Sequence, residues 1–440
     1  MSEQPNQEAG GRPALSTAEK VRYGLYALAV VIAFFAVLDG VLGWMERAGH
    51  LELDRKDDAP PLSSDPWVDS GEGYLIPDPS LHSRMPAHRL KKEKEPGSLR
   101  VMMVGASFFA GVPYTGPGTI HFWLEEELKR RFKGRTIEVA NGSMSAMDSS
   151  VVRRVAEYAV GHEPDVLVVA TCNNEGTLQP SQVTKRLHDL GTFRVFRKML
   201  RSEVSGGERP LHTVQDPDTN AVRTAFEENL EAIIEAAAYR GIPVLLCTLP
   251  VHYRYEGDAA GLPLKGEDWE GHGTVAEPAC VANAKRHLAG GRHAEAERLL
   301  EACDEVDAVR TLGILRFSQQ RFEEAKRLLT EYLEVVPRNR CRPTFNAVIR
   351  QVAAKHERVY LVDLAQLVSD RHPHGMPSFE AFTDYCHLNW RAQGDVAHAI
   401  AEALTRDAVQ GGSSELAPLE LEPIMRKART QLGLQPLPDI

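Results

Sequence analysis

The sequence predicts an α/β protein: a three-layer α/β/α, doubly wound parallel sheet of about five strands, with an apolar N-terminal helix and a small helical insertion. Three observations carry this reading. Short, continuous apolar runs recur along the chain: "LRVMMVG" (99–105), "TIEVA" (136–140), "DVLVVAT" (165–171), "IPVLLCTL" (242–249) and "RVYLVDL" (358–364). They lack the two-residue alternation of a half-exposed strand, as suits strands covered on both faces. Amphipathic stretches lie between them, such as "IHFWLEEELKRRF" (120–132), "SSVVRRVAEYAVG" (149–161) and "TAFEENLEAIIEAAAYRG" (224–241), the last closing on Gly241 as a C-cap.

The elements follow in order. Residues 1–22 form a polar tail. Residues 23–45, "YGLYALAVVIAFFAVLDGVLGWM", carry one charge, Asp39, and are long enough to cross a hydrocarbon core. Tyr23, Tyr26 and Trp44 sit toward the ends of the run, where aromatic belts form. No small-residue cleavage site follows it, which predicts an uncleaved anchor rather than a signal peptide. Lys20 and Arg22 precede the span and Arg47 follows it, so the positive-inside bias is slight. A short tail that stays inside gives a cytoplasmic segment 1–22 and a body outside the cytoplasm. Residues 46–98, rich in Pro, Asp, Ser and Lys, read as a spacer and surface wrap.

The folded body occupies 99–275 and 341–405, followed by a C-terminal tail, 406–440. The segment 176–223 reads as a helical excursion plus an exposed loop. Between the fourth and fifth strands, 276–340 break the alternation. "AVRTLGILRFSQQRFEEAKRLLTEYLEVVPRN" (308–339) resembles a tetratricopeptide repeat, with Ala325 at the close-packing position and Pro337 closing it. Residues 282–306 are a looser copy, with Ala296 standing to Gly291 as Ala325 stands to Gln320. Repeats need about three units to stand alone, so this pair is expected to lean on the α/β body.

A net charge of −10 gives no general pull toward nucleic acid, which is excluded as a partner. The cysteines, at 172, 247, 280, 303, 341 and 386, contain no C-x-x-C pair, and the histidines do not cluster at ligand spacing. No metal and no cofactor are expected. Cys247, ending a strand-like run, reads as a small buried hydrophobe.

The chemistry gathers at strand ends. Ser107 follows the first strand, at the edge where open α/β sheets bind ligands; it is either a turn residue or a nucleophile. A nucleophile needs a base and an oxyanion hole. In "AFTDYCHLNW" (381–390), Asp384 can fix the tautomer of His387 while the other ring nitrogen faces Ser107. Asn173 and Asn174 end the third strand and can point an amide inward, and "VANGSMSAMDSS" (139–150) offers small residues with accessible N–H groups. "TLPVHYRYEG" (248–257) places His252 or Tyr253 at the rim.

This constellation resembles the SGNH hydrolases, also called the GDSL lipase/acylhydrolase superfamily. Gly105-Ala106-Ser107 matches the Gly-x-Ser block, Cys172-Asn173-Asn174-Glu175 matches Gly-x-Asn-Asp loosely, and Asp384 with His387 matches Asp-x-x-His. The match covers roughly 99–250 and 341–404. The resemblance implies Ser107 as nucleophile, His387 as general base and Asp384 as its orienting acid. The implied oxyanion donors are the N–H of Ser107, an N–H of Gly142 or Ser143, and the Asn174 amide. Ala106 replaces an acidic residue, Cys172 a glycine and Glu175 an aspartate. A disulfide between Cys172 and Cys386 would stiffen the site; the alternative is two buried thiols. An anchor with a repeat insertion also resembles a bacterial branch of the superfamily, which implies a single-pass inner-membrane protein with its catalytic domain facing the periplasm.

The expected activity is hydrolysis of an O-acyl ester, acetyl first, on a small molecule or glycan through an acyl-enzyme. The alternatives are an O-acyltransferase acting on an envelope polysaccharide, and a degenerate hydrolase whose helical repeats bind a protein partner.

Overall fold

The computed structural model describes residues 16–47, 64–81, 85–176, 192, 219–254, 278–335, 340–413, 416–435 and 437. Two units are distinguished, and the first contains helix α1 (Thr17–Arg47). Leu25–Leu42 within α1 has a mean hydropathy of 2.5 and none of that window is buried, so the helix is long and apolar enough to cross a membrane. Asp39 is not left bare in this unit: its Oδ1 accepts the N–H of Thr192 at 3.0 Å and its hydroxyl at 3.2 Å. The expected tail before residue 16, and the excursion 176–223 apart from Gly176, Thr192 and 219–223, lie outside the described residues.

The second unit opens with a small antiparallel sheet, β1 (Trp67–Asp69), β2 (Tyr74–Pro77) and β3 (Leu90–Lys91). Within the expected spacer and surface wrap 46–98, the described part from 64 onward is thus ordered structure, while 48–63 and 82–84 lie outside the described residues. Trp67 and Leu90 are buried, and Lys91 gives its carbonyl to the guanidinium of Arg100. Arg100 is itself buried against Glu138 at 3.0 Å, so the segment covers an ion pair that water would otherwise reach. The period was hard to read because each strand spans four residues or fewer.

The main sheet has five parallel strands: β4 (Leu99–Gly105), β5 (Ile137–Asn141), β6 (Val166–Ala170), β7 (Val244–Cys247) and β8 (Val359–Val362). Their order is β5-β4-β6-β7-β8. The chain leaves β4 for one neighbour and later returns to its other side, which makes the carboxyl end of β4 the switch point where such sheets bind ligands. Val101 to Val104 and Val166 to Ala170 are fully buried, as the continuous apolar runs require.

Helices cover both faces. The short α2 (Ser107–Ala110) leads into α3 (Ile120–Arg131); α4 (Ser149–Ala159) packs with α5 (Thr219–Tyr239). Between β7 and β8 stand two helical hairpins, α6 (Ala279–Ala289) with α7 (His293–Glu301), and α8 (Val306–Ser318) with α9 (Phe322–Val335). Ala296 and Ala325 are buried, and a Cβ on Gly313 would stand 2.9 Å from Leu329, so small residues set the close helix approach. The chain then forms α10 (Pro343–Lys355), β8, α11 (Leu364–Asp370) and α12 (Trp390–Ala403), which packs on α3.

The expected C-terminal tail also needs correcting. It carries α13 (Leu421–Gln431), whose buried Arg429 donates to the carbonyls of Pro117 at 3.0 Å and Gln435 at 2.6 Å. The guanidinium satisfies the carbonyls of a glycine- and proline-rich turn that has few backbone partners of its own.

Candidate active site

Ser107 opens α2 directly after β4. Gly105 permits this placement, since a Cβ there would stand 2.3 Å from the carbonyl oxygen of Ala170 on the neighbouring strand. Gly111, at φ 87°, ends the helix in the left-handed region that favours glycine. The serine is held 8% exposed at the carboxyl edge of the sheet.

His387 reaches the same point from the loop before α12. Its Nε2 lies 2.8 Å from Ser107 Oγ, and its Nδ1 lies 2.6 Å from Asp384 Oδ2. Asp384 Oδ1 accepts the backbone N–H groups of His387 at 2.7 Å and Cys386 at 2.9 Å. One carboxylate therefore folds its own loop and orients the ring. Asn389 caps α12 by accepting from Ala392 N–H at 3.0 Å. Gln393 joins the acid–base loop to the loop after α2: its Nε2 donates to Leu388 O at 3.0 Å and Gly111 O at 3.3 Å, and its Oε1 accepts Ile120 N–H at 3.0 Å.

The electrostatics follow from burial and pairing. Burial alone would raise the Asp384 pKa, but His387 and the two backbone N–H groups outweigh it and hold the carboxylate below its ordinary range. For His387, burial disfavours the imidazolium, and the ionised Asp384 against its Nδ1 overturns this and holds its pKa well above the ordinary value. Cys386 is an unbridged thiol that burial pushes up. Asp384, Cys386 and His387 offer ligand atoms within 4.8 Å of one another. The carboxylate and imidazole are already committed to each other, so a cation there would have to displace the proton between them.

The oxyanion side departs from expectation. Gly142 N–H donates to Met103 O at 2.8 Å and Ser143 N–H to Asn141 Oδ1 at 3.0 Å, so neither points into the site. The physical reason is register: residue 142 still continues β5 alongside β4, and the turn begins only afterwards. That turn runs past Gly105, where Met144 N–H meets its carbonyl at 3.3 Å, to Ala146 in the left-handed region at φ 59°. Asn174 reaches it, donating from Nδ2 to Met147 O at 2.9 Å. Asn173 faces away from this turn, its Oδ1 accepting Cys341 N–H at 2.9 Å.

Cys172 pairs with Cys341, not Cys386, and Cys280 pairs with Cys303 inside the first hairpin. The first bridge ties the loop bearing Asn173 and Asn174 to the segment leaving the helical insertion. Cys247 is buried, as a small hydrophobe would be.

Two supporting residues were given no role by sequence reasoning. Asn141, fully buried at the end of β5, donates to Phe109 O at 2.7 Å and so stitches the turn to α2. Glu175 accepts Ser149 N–H and Ser149 Oγ–H, each at 2.8 Å, fixing the start of α4. Burial, with Asp148 adding to it, pushes the Glu175 carboxyl up to about 8. A polar residue ending a buried apolar run is the signal that could have found Asn141.

No family model matches the chain, and no curated protein does. Among solved structures it resembles SGNH and GDSL enzymes. The acetyl xylan esterase AlAXEase is 16% identical, over 70% of this chain and 100% of that one, with a TM-score of 0.35. A lipase/acylhydrolase from Enterococcus faecalis is 10% identical over 72% and 100%, with a TM-score of 0.35. AlinE4, an SGNH-hydrolase family esterase, is 16% identical over 35% and 60%, with a TM-score of 0.21.

Proposed function

We propose that this chain is a membrane-anchored serine esterase that hydrolyses O-acyl esters, acetyl first, on a small molecule or glycan. The observation that carries the reading is the unbroken line Ser107 Oγ, His387 Nε2, His387 Nδ1, Asp384 Oδ2 at 2.8 and 2.6 Å. A serine hydroxyl is a poor nucleophile until a base takes its proton, and this line supplies the base and fixes its tautomer.

Ser107 Oγ attacks the ester carbonyl while its proton passes to His387 Nε2. The bond between the acyl carbon and the ester oxygen then breaks as the imidazolium returns that proton to the leaving alcohol oxygen. Water repeats the sequence on the acyl-serine, releasing the acid and restoring the hydroxyl. The oxyanion is held by the N–H of Ser107, by the second Nδ2 hydrogen of Asn174 and by the Ala146 N–H, in place of Gly142 and Ser143. The left-handed Ala146 lies on the turn between Gly105 and Asn174, which supports that assignment.

The apolar α1 supports a lipid bilayer as its anchor, and two disulfides support an oxidising compartment such as the periplasm of a bacterial inner-membrane protein. The test is labelling of the full-length protein in detergent by a fluorophosphonate, beside Ser107→Ala and His387→Ala. Labelling that vanishes in both variants is expected. A folded wild type that takes no label would refute the reading.

A further inference from the structure

A second histidine packs against the acid–base loop from another part of the chain, and nothing in the reaction above uses it. His252, which follows β7, is fully buried. Its Nδ1 lies 3.0 Å from the backbone carbonyl oxygen of Asp384, and its Nε2 lies 2.9 Å from Ser378 Oγ. A carbonyl oxygen only accepts, so Nδ1 carries the proton and Nε2 accepts from the serine. The ring faces are occupied as well: Phe382 stacks on it at 5.4 Å and 8°, and Phe379 meets it edge-on at 4.5 Å.

The next two residues face the helical insertion. Tyr253 N–H donates to Pro377 O at 3.3 Å, and its side chain packs with Met376 against Ile314, Ala325 and Leu329 of α8 and α9. Arg254 lies 4.1 Å from the ring centre of Phe317 on α8 and 4.0 Å from Glu380. Three consecutive residues thus touch the main chain of the acid, the start of its loop and the second hairpin.

We propose that His252 is the positioning residue of the acid–base loop, a neutral strut that ties the main chain of Asp384 to Ser378, next to the segment that packs on the α8–α9 hairpin. The proposal rests on the esterase reading for its kinetic consequence, and on geometry for the rest. It also gives the insertion a role: the hairpin packs on Tyr253 and Met376, chain neighbours of His252 and Ser378, so the chain between β7 and β8 supports the site from outside the sheet. Burial drives the His252 pKa down to about 3, with Arg340 and Arg254 adding to it, so the strut stays uncharged wherever the enzyme works. Among the described residues, the other titratable and charged groups near Asp384 and His387 include Cys386 and Tyr385 on the loop, Tyr114 after α2, and Arg340 before α10.

The full-length enzyme in detergent tests this with three variants. His252→Phe keeps a ring between the phenylalanines and loses both hydrogen bonds. His252→Asn places an amide N–H near Nδ1, and His252→Gln places one near Nε2. His252→Phe should lower kcat on p-nitrophenyl acetate roughly 10- to 100-fold with KM within about twofold. Its acid limb should move to lower pH, because a displaced carboxylate no longer holds the His387 proton. His252→Asn should recover most of kcat and the limb, and His252→Gln should not. The downfield proton NMR signal of His387 Nδ1–H gives a readout free of turnover: it should broaden or vanish in His252→Phe and return in His252→Asn.

Wild-type kcat, acid limb and proton signal in His252→Phe would overturn the proposal. So would equal behaviour of the Asn and Gln variants, which remains decisive if the Phe variant does not fold. A wild type that shows the proton signal but neither labels nor hydrolyses would sink the esterase reading alone, and the loss of that signal in His252→Phe would still support the strut.

Discussion

Replacing Asp384 by Asn should nearly abolish turnover while leaving the fold intact, and the geometry says why. Oδ1 accepts two backbone N–H groups, at 2.7 and 2.9 Å, while Oδ2 accepts only the ring proton at 2.6 Å. An asparagine has one acceptor oxygen, and two donors outbid one for it. The carboxamide nitrogen is then turned toward His387 Nδ1. Because that nitrogen donates, Nδ1 must accept, and the ring proton moves to Nε2, where it faces Ser107 Oγ at 2.8 Å. A base that already holds its proton cannot take another. The wrong tautomer costs about ten-thousand-fold in kcat, roughly 5 kcal/mol of barrier. Steady-state hydrolysis of p-nitrophenyl acetate by the full-length enzyme measures it, with Tm recorded in parallel. The pH profile adds a second check. In the wild type His387 is held well above its ordinary 6.5, so kcat/KM should rise along an acid limb centred above that pH. Retention of more than about a tenth of kcat by Asp384→Asn at unchanged Tm, or a wild-type limb at or below 6.5, would refute this reasoning.

Two further predictions concern the supporting shell. The Glu175 pKa is raised from 4.5 to about 8 by burial. Its proton therefore favours the fold: the contribution is fully present below pH 4.5 and is lost as pH rises through about 8. Ionising the buried acid costs on the order of 5 kcal/mol, so Glu175→Gln should gain in Tm over wild type as pH climbs through that window; parallel curves would count against it. Cys341→Ser should destabilise the protein to urea by roughly 2–5 kcal/mol and lower turnover, since the bridge seats the Asn173–Asn174 loop. Unchanged turnover in the folded variant would show that the bridge serves stability alone.

Much of this site was legible because its chemistry sits at the ends of elements that announce themselves. A continuous run such as 99–105, too short for an ordinary helix and closed by Gly105, reads as a strand covered on both faces, which puts Ser107 at a sheet edge. The oxyanion side was misjudged by a few residues for a matching reason. Sequence shows where an apolar run stops, but not how far the backbone keeps pairing beyond it. Gly142 and Ser143 still face their own partners, and the turn arrives at Ala146. Ala146 gave no signal, because alanine is not the residue expected at positive φ. The segment 64–98 and the C-terminal helix were missed because strands of two to four residues carry little period and because Arg429 reads as a surface charge until it is seen buried.

By itself the sequence determined the layered α/β class, the strand that presents Ser107, the Asp384–His387 pairing and the site of the helical insertion. Each is written in local patterns of burial and spacing that a few residues suffice to express. Only the tertiary structure decided that Cys172 bridges to Cys341 and that His252 stands behind Asp384. Those are contacts between segments 130 or more residues apart, and nothing in the composition of either segment records the identity of the other.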